Sequence, residues 1–230
     1  MKRNVIRTIF FFVLVSQSIL GQTSTNNQSH VEITPGFSFA GPINQMEKYL
    51  VDQGYDATID SFLFGDVEYP IKTSSGHSLT ITYFKDLKLH KKIGLQLSYS
   101  DLGTITGYNN DGRSVNIGFR TFSTSVFNAY DYKPWRLKIG PSVHLNTFYE
   151  EEFETKKSLE SGFALGIFAG VDIYLWNSRR TYGLLGCNYT YTTANKISPP
   201  SDGFNGREQL SEVSIGFKHA TASFTFGIHL

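Results

Sequence analysis

The sequence predicts an all-β chain folded as an eight-stranded antiparallel up-and-down transmembrane β-barrel, with long loops at one end and short turns at the other. Three observations predict it. Segment after segment alternates apolar and non-apolar residues with a period of two. The connections between those segments alternate long and short. The face opposite the bulky apolar residues is made of Gly, Ser, Thr and Asn rather than the Lys and Glu of a wetted strand face.

Composition sets the bounds. A chain of 230 residues is an ordinary length for one all-β barrel. Aromatics reach 15%, with 19 Phe and 13 Tyr, while charged residues are 18%, below the usual quarter. A mean hydropathy of −0.21 excludes a helical membrane protein. A net charge of +1 leaves no basic footprint, so no nucleic-acid partner is expected. One Cys excludes a disulfide framework and any multi-cysteine metal site.

Residues 1–21 read as a signal peptide, with Lys2, Arg3 and Arg7 ahead of an apolar core at 9–15 that is too short to span a bilayer as a helix. The segment holds three of the 21 basic residues and none of the 20 acidic ones, so the remainder carries −2. Residues 22–30 (QTSTNNQSH) form a flexible lead-in, and 31–230 are assigned to the barrel.

The strands follow in order. The first, 31–40, places Val31, Ile33, Phe37 and Phe39 on one face. The second, 77–86, places Leu79, Ile81 and Tyr83; the third, 92–100, places Ile93, Leu95, Leu97 and Tyr99. The fourth, 113–128, begins with Val115, Ile117 and Phe119 on the apolar face, and a register slip near Phe122 is expected to restore its pattern. The fifth, 135–148, sets Leu137, Ile139, Val143 and Leu145 against Lys138, Ser142, His144 and Asn146. The sixth, 161–175, runs from Phe163 to Leu175 on one face, with Asp172 on the other. The seventh, 181–193, carries Leu185, Cys187, Tyr189 and Tyr191. At the C-terminus the parity changes, from Val213, Ile215 and Phe217 to Phe224, Phe226 and Ile228. Either one strand carries a bulge near 219–222 or two strands meet at a tight turn; the bulge gives an even total of eight.

The connections at 41–76, 101–112, 149–160 and 194–208 are long, and those at 87–91, 129–134 and 177–180 are short. Strict alternation puts every long loop at one end and makes each strand antiparallel to its sequence neighbour. Closure into a barrel then removes the free edges. A soluble barrel would turn its apolar face inward, whereas a membrane barrel turns it outward. The small polar face fits a crowded narrow lumen. The apolar face carries no charge at the strand positions above, where a Lys or Arg would cost about 2–4 kcal/mol at the bilayer midplane. Tyr99, Tyr130, Tyr132, Trp135, Tyr149, Trp176, Tyr182 and Tyr191 cluster near strand ends as an aromatic girdle.

Residues 223–230 (SFTFGIHL) alternate to the final carboxylate, and this ending resembles the C-terminal signal of outer-membrane barrels, with Leu230 where Phe is commonest. With the leader and the loop alternation, residues 31–230 resemble the small eight-stranded outer-membrane β-barrel family (OmpX/OmpW-like, the outer membrane protein β-barrel domain group). The resemblance implies a Gram-negative outer membrane, extracellular long loops, periplasmic short turns and termini, a lipid environment, and the barrel assembly machinery as a partner during biogenesis.

Chemistry could lie in the lumen. Glu32, Arg120, Lys138, His144, Asp172, Glu212 and Lys218 all fall on the non-lipid face and form a candidate polar cluster. Strand counting places Lys138 near Asp172 and Arg120 near His144. Such charges serve either a conducting path or a structural salt-bridge network that fills a narrow barrel. Ser142 and His144 share a face with Asp172 close by, the residue types of a nucleophile–base–acid set, but no motif surrounds them. Residues 43–53 show helical spacing of Ile43, Met46, Tyr49 and Leu50, so the loop 41–76 carries a short helix that either caps the rim or receives a protein partner. Glu150, Glu151, Glu152 and Glu154 could hold Ca²⁺ or simply be solvated. The short turns hold Lys88, Lys91, Lys92, Lys133, Arg179 and Arg180, whereas acids dominate the long loops, which speaks against salt bridges from those loops to lipopolysaccharide phosphates.

No cofactor motif is present, and no catalytic, cofactor or metal residue is assigned. The expectation is a non-enzymatic outer-membrane protein with a structural or surface-interaction role. A narrow pore for small solutes is the alternative, and a lipid-modifying enzyme a more distant one.

Overall fold

The computed structural model describes residues 28–40, 43–52, 54–56, 58–61, 65–68, 71–88, 90–108, 114–152, 155–197 and 213–230. The leader, most of the lead-in and Glu212 lie outside the described residues.

Eight strands form one closed antiparallel ring. They are β1 (Ser29–Ala40), β2 (Gly76–Lys88), β3 (Lys91–Tyr108), β4 (Ser114–Tyr132), β5 (Trp135–Glu152), β6 (Thr155–Asn177), β7 (Thr181–Thr192) and β8 (His219–His229). Each pairs with its sequence neighbour, and β8 pairs with β1 to shut the ring, His30 lying across from His229 and Phe39 from Ala220. Three short pairs decorate the long-loop end: 58–61 with 65–68, 72–73 with β3, and 194–197 with 213–216.

The exterior carries the bulky groups. Phe37, Phe163, Leu165, Ile167, Leu185 and Ile139 are each more than half exposed. Thr34, Ser38, Thr82, Ser98, Ser100, Ser123, Ser125 and Thr225 are buried inside. A surface with Leu, Ile and Phe bared all round, over a hydroxyl-lined interior, is stable only in hydrocarbon, since water would penalise each bare side chain by about 1.5–3 kcal/mol. The barrel is therefore a membrane-spanning one.

The strands are longer than the alternation indicates. β6 runs for 23 residues and β4 for 19. Residues expected in the loops 101–112 and 149–160 are largely strand, so the wall rises beyond the apolar band at the long-loop end. Glu150, Glu151 and Glu152 belong to this extension, Glu150 across from Lys157 and Glu151 from Lys156 in backbone register on the next strand, while Glu154 lies outside the described residues.

Two register expectations are corrected. β4 carries no slip near Phe122: its odd-numbered residues from 117 to 131 point inward, including Ile117 and Phe119, both buried. The irregularity lies in the partner strand, where the ladder shifts between Asp101 and Gly103. Gly103 takes φ = 98°, which an L side chain rarely adopts. Likewise no bulge flips parity at 219–222; the break falls earlier, between the strands 213–216 and β8, where Lys218 N–H donates to the Gly216 carbonyl at 3.0 Å. Phe217 and His219 are both buried, and across 217–218 the register against 181–197 shifts by one residue. Ile117, Phe119 and Phe217 belong to an interior core rather than to the lipid face.

That core closes the long-loop mouth. The helix α1 (Ile43–Asp52) packs Met46 and Leu50 against Leu102, Ile105, Ile117, Phe119, Phe148 and Phe217, with Tyr55 beside them. The rings of Phe119, Phe148 and Phe217 meet edge to face, with centroids 4.9–6.0 Å apart.

Candidate functional site

The polar cluster in the lumen centres on Arg136, a residue the strand reading passed over. β5 places Arg136, Lys138, Ser142, His144 and Asn146 on its inner face, and Arg136 is fully buried. Its guanidinium donates to Glu32, to the Tyr174 hydroxyl and, at 2.7 Å, to Asp131 Oδ1. Tyr182 donates to Glu32 at 2.7 Å, and Tyr174 donates to Asp131 Oδ2 at 3.0 Å. The rings of Phe84, Tyr174 and Tyr182 stand 5.0–5.4 Å from the guanidinium carbon. Every charge in the knot is hydrogen-bonded, as a buried ion must be.

The network continues to the short-turn mouth. Lys92 Nζ lies 3.0 Å from Asp131 and 3.5 Å from Asp86. His30 Nε2 is 3.0 Å from Asp86, and its Nδ1 is 2.8 Å from Nδ1 of His229. The mouth beyond is an open cup of about 800 Å³ that reaches Lys133 and Arg179 on the turns.

Of the residues expected in the lumen, Glu32, Lys138, His144 and Asp172 are inside and buried. Lys138 Nζ lies 2.8 Å from Asp172 Oδ2. The angle falls outside hydrogen-bond geometry, and neither Asp172 oxygen accepts a directed bond, so the contact is an ion pair alone. Arg120 and Lys218 are corrections, because both point outward. Arg120 stands across from Thr147 rather than His144, pairs with Asp101 at 3.3 Å and stacks 4.2 Å over Tyr149. Lys218 is exposed and lies 4.7 Å from the Tyr191 ring centre. Both sit where the wall leaves the apolar band, and aromatic rings accommodate their cations. Two further readings change. Tyr182, read as girdle, points inward, and Lys92, read as part of a turn, is a lumen ion. Parity held the signal for Arg136 and Tyr182, which share the even-numbered inner face with His144 and Thr190. Asp86 and Lys92 were obscured because their strands continue into what reads as a turn.

His144 Nε2 lies 2.8 Å from Ser142 Oγ. Its Nδ1 faces Thr121 Oγ1 at 3.3 Å, not a carboxylate, and Asp172 is held by Lys138. His144, but not Ser142, borders a small cavity of about 20 Å³ whose walls include Thr34, Ser98 and Ser125. That is room for about one water molecule and not for a lipid. Among the described residues no three His, Cys, Asp or Glu side chains converge as metal ligands.

No protein-family model matches the sequence, and no curated protein matches it. Among solved structures, neisserial surface protein A (NspA) is similar at 12% identity over 88% of this chain and 99% of that one, with a TM-score of 0.46. The attachment invasion locus protein Ail of Yersinia pestis is similar at 10% identity over 90% and 100%, TM-score 0.47. The outer membrane protein OprG from Pseudomonas aeruginosa is similar at 11% identity over 91% and 99%, TM-score 0.47.

Proposed function

We propose that this chain is a plugged, non-enzymatic barrel of the Gram-negative outer membrane that serves as a wall protein and as a platform for surface contacts made by its long loops. One observation carries the reading. Among the described residues the lumen is obstructed twice, by the ion knot around Arg136 near one end and by the apolar packing of α1 at the other, with a cavity of about 20 Å³ lined in part by His144. A conducting pore needs a continuous wet path, and an esterase needs a reachable nucleophile with an oriented base. Neither condition is met by Ser142 and His144 as they stand. The loop region 41–76 is the segment through which a protein partner would engage, and residues 223–230 are those the assembly machinery would read. Planar-bilayer recording of the purified protein tests the plug. The expected trace is silent, and stepwise ohmic conductance from the wild type would replace this reading with a pore.

A further inference from the structure

We propose that the short-turn rim is a binding surface for the headgroups of acidic phospholipids in the leaflet on that side. This rests on the membrane reading above. Cations among the described residues of the rim include Lys91 at the start of β3, Lys133 in the β4–β5 turn, and Arg179 and Arg180 in the β6–β7 turn. Lys133, Arg179 and Arg180 are exposed, and Lys91 is half-buried. The acids described at this end do not neutralise them. Asp86 and Asp131 turn into the lumen, where His30, Lys92 and Arg136 hold them.

What selects a lipid over a soluble polyanion is the company these cations keep. Lys91 Nζ lies 5.9 Å from the Tyr130 ring centre. Tyr132, Trp135 and Trp176 are exposed at the same end, Leu137 and Leu175 continue outward from them into the apolar band, and Trp176 lies flat on Gly183. Amphipathic rings mark the boundary between hydrocarbon and headgroups, so cations one step beyond them stand at phosphate height. A juxtamembrane cation gains free energy from an anionic surface, and the gain falls with salt. At the opposite end the sequence is acid-rich, and two outward strand cations there, Arg120 and Lys218, already lie on aromatic rings.

Both Trp residues of the chain sit at this rim, which supplies the test. The full-length protein is reconstituted into phosphatidylcholine vesicles containing equal fractions of brominated-chain phosphatidylglycerol or brominated-chain phosphatidylcholine, and Trp quenching is compared. Wild type is expected to prefer the brominated phosphatidylglycerol by about fivefold or more, the increment of one cation at an anionic surface. The preference should collapse in high NaCl and in the combined variant Lys91→Gln/Lys133→Gln/Arg179→Gln/Arg180→Gln. It should persist in Arg120→Gln/Lys218→Gln. If the fourfold variant does not insert, Arg180→Gln and the NaCl series read the same ratio. Equal quenching of wild type by the two lipids overturns the proposal, whereas absence of quenching by both would instead overturn the membrane reading.

Discussion

Glu32 and Arg136 are 104 residues apart in the chain and meet as an ion pair inside the barrel, where neither side chain has appreciable contact with solvent. The pair ties β1 to β5 across the lumen, so it can form only once the ring is closed. Arg136→Met removes the partner of Glu32 and one partner of Asp131, leaving Glu32 with only the Tyr182 hydroxyl among the contacts described above. The expected loss is about 3–5 kcal/mol, the usual cost of stranding a buried charge. Glu32→Gln is expected to be milder, about 1–3 kcal/mol, since Arg136 keeps Asp131 at 2.7 Å. Urea midpoints read from the migration shift between boiled and unboiled samples give both numbers. Equal midpoints for Arg136→Met and wild type would contradict the central role of the knot.

Lys138 and Asp172 offer a second, separable test. They belong to adjacent strands, touch at 2.8 Å and are both buried. A double-mutant cycle with Lys138→Met and Asp172→Leu is expected to show coupling of about 1–3 kcal/mol, because each single change strands an ion whereas the double change removes both. Additive costs would mean that the two charges are screened from one another.

Where parity alone decides, the sequence was readable. The faces of β1, of β6 from 161 to 173 and of β7 from 185 to 192 follow period two, and counting places Lys138 beside Asp172. The misreadings share one physical cause. Apolar parity says which residues avoid water, not whether they do so in lipid or in a plug. Ile117, Phe119 and Phe217 avoid water inside the mouth, against α1. Arg120 and Lys218 were placed inward by the same assumption, although a rim cation can face outward when a Tyr ring lies beneath it. Arg136 stayed hidden because its meaning depends on three other strands, which no local window contains.

Gly183 tests the close packing of the outer wall. A Cβ at this position would lie 2.0 Å from a carbon of the Trp176 ring, so Gly183→Ala must push the indole off the strand. In a Trp135→Phe background the emission of Trp176 then reports its new environment. A spectral shift is expected together with destabilisation of about 1–3 kcal/mol, the range for overpacking. An unchanged spectrum would mean that the ring does not rest on Gly183.

The last prediction concerns the plug. Leu50 is 1% exposed and sits among Leu102, Ile105, Phe119 and Phe217, while Lys48 on the same helix is exposed. Leu50→Ala removes apolar contact at a site whose loss in a packed core costs about 2–5 kcal/mol. The barrel wall does not depend on α1 for its hydrogen bonds, so the loss falls on docking of the helix rather than on the sheet. Trypsin cleavage at Lys48 reads that docking through local opening. A cost of about 2 kcal/mol raises the open population about thirtyfold, and cleavage should quicken accordingly while the urea midpoint of the barrel stays near wild type. If cleavage is unchanged, Leu50 does not hold the helix in the mouth. If the midpoint falls in step with cleavage, helix and wall unfold together and the plug is an integral part of the barrel's stability.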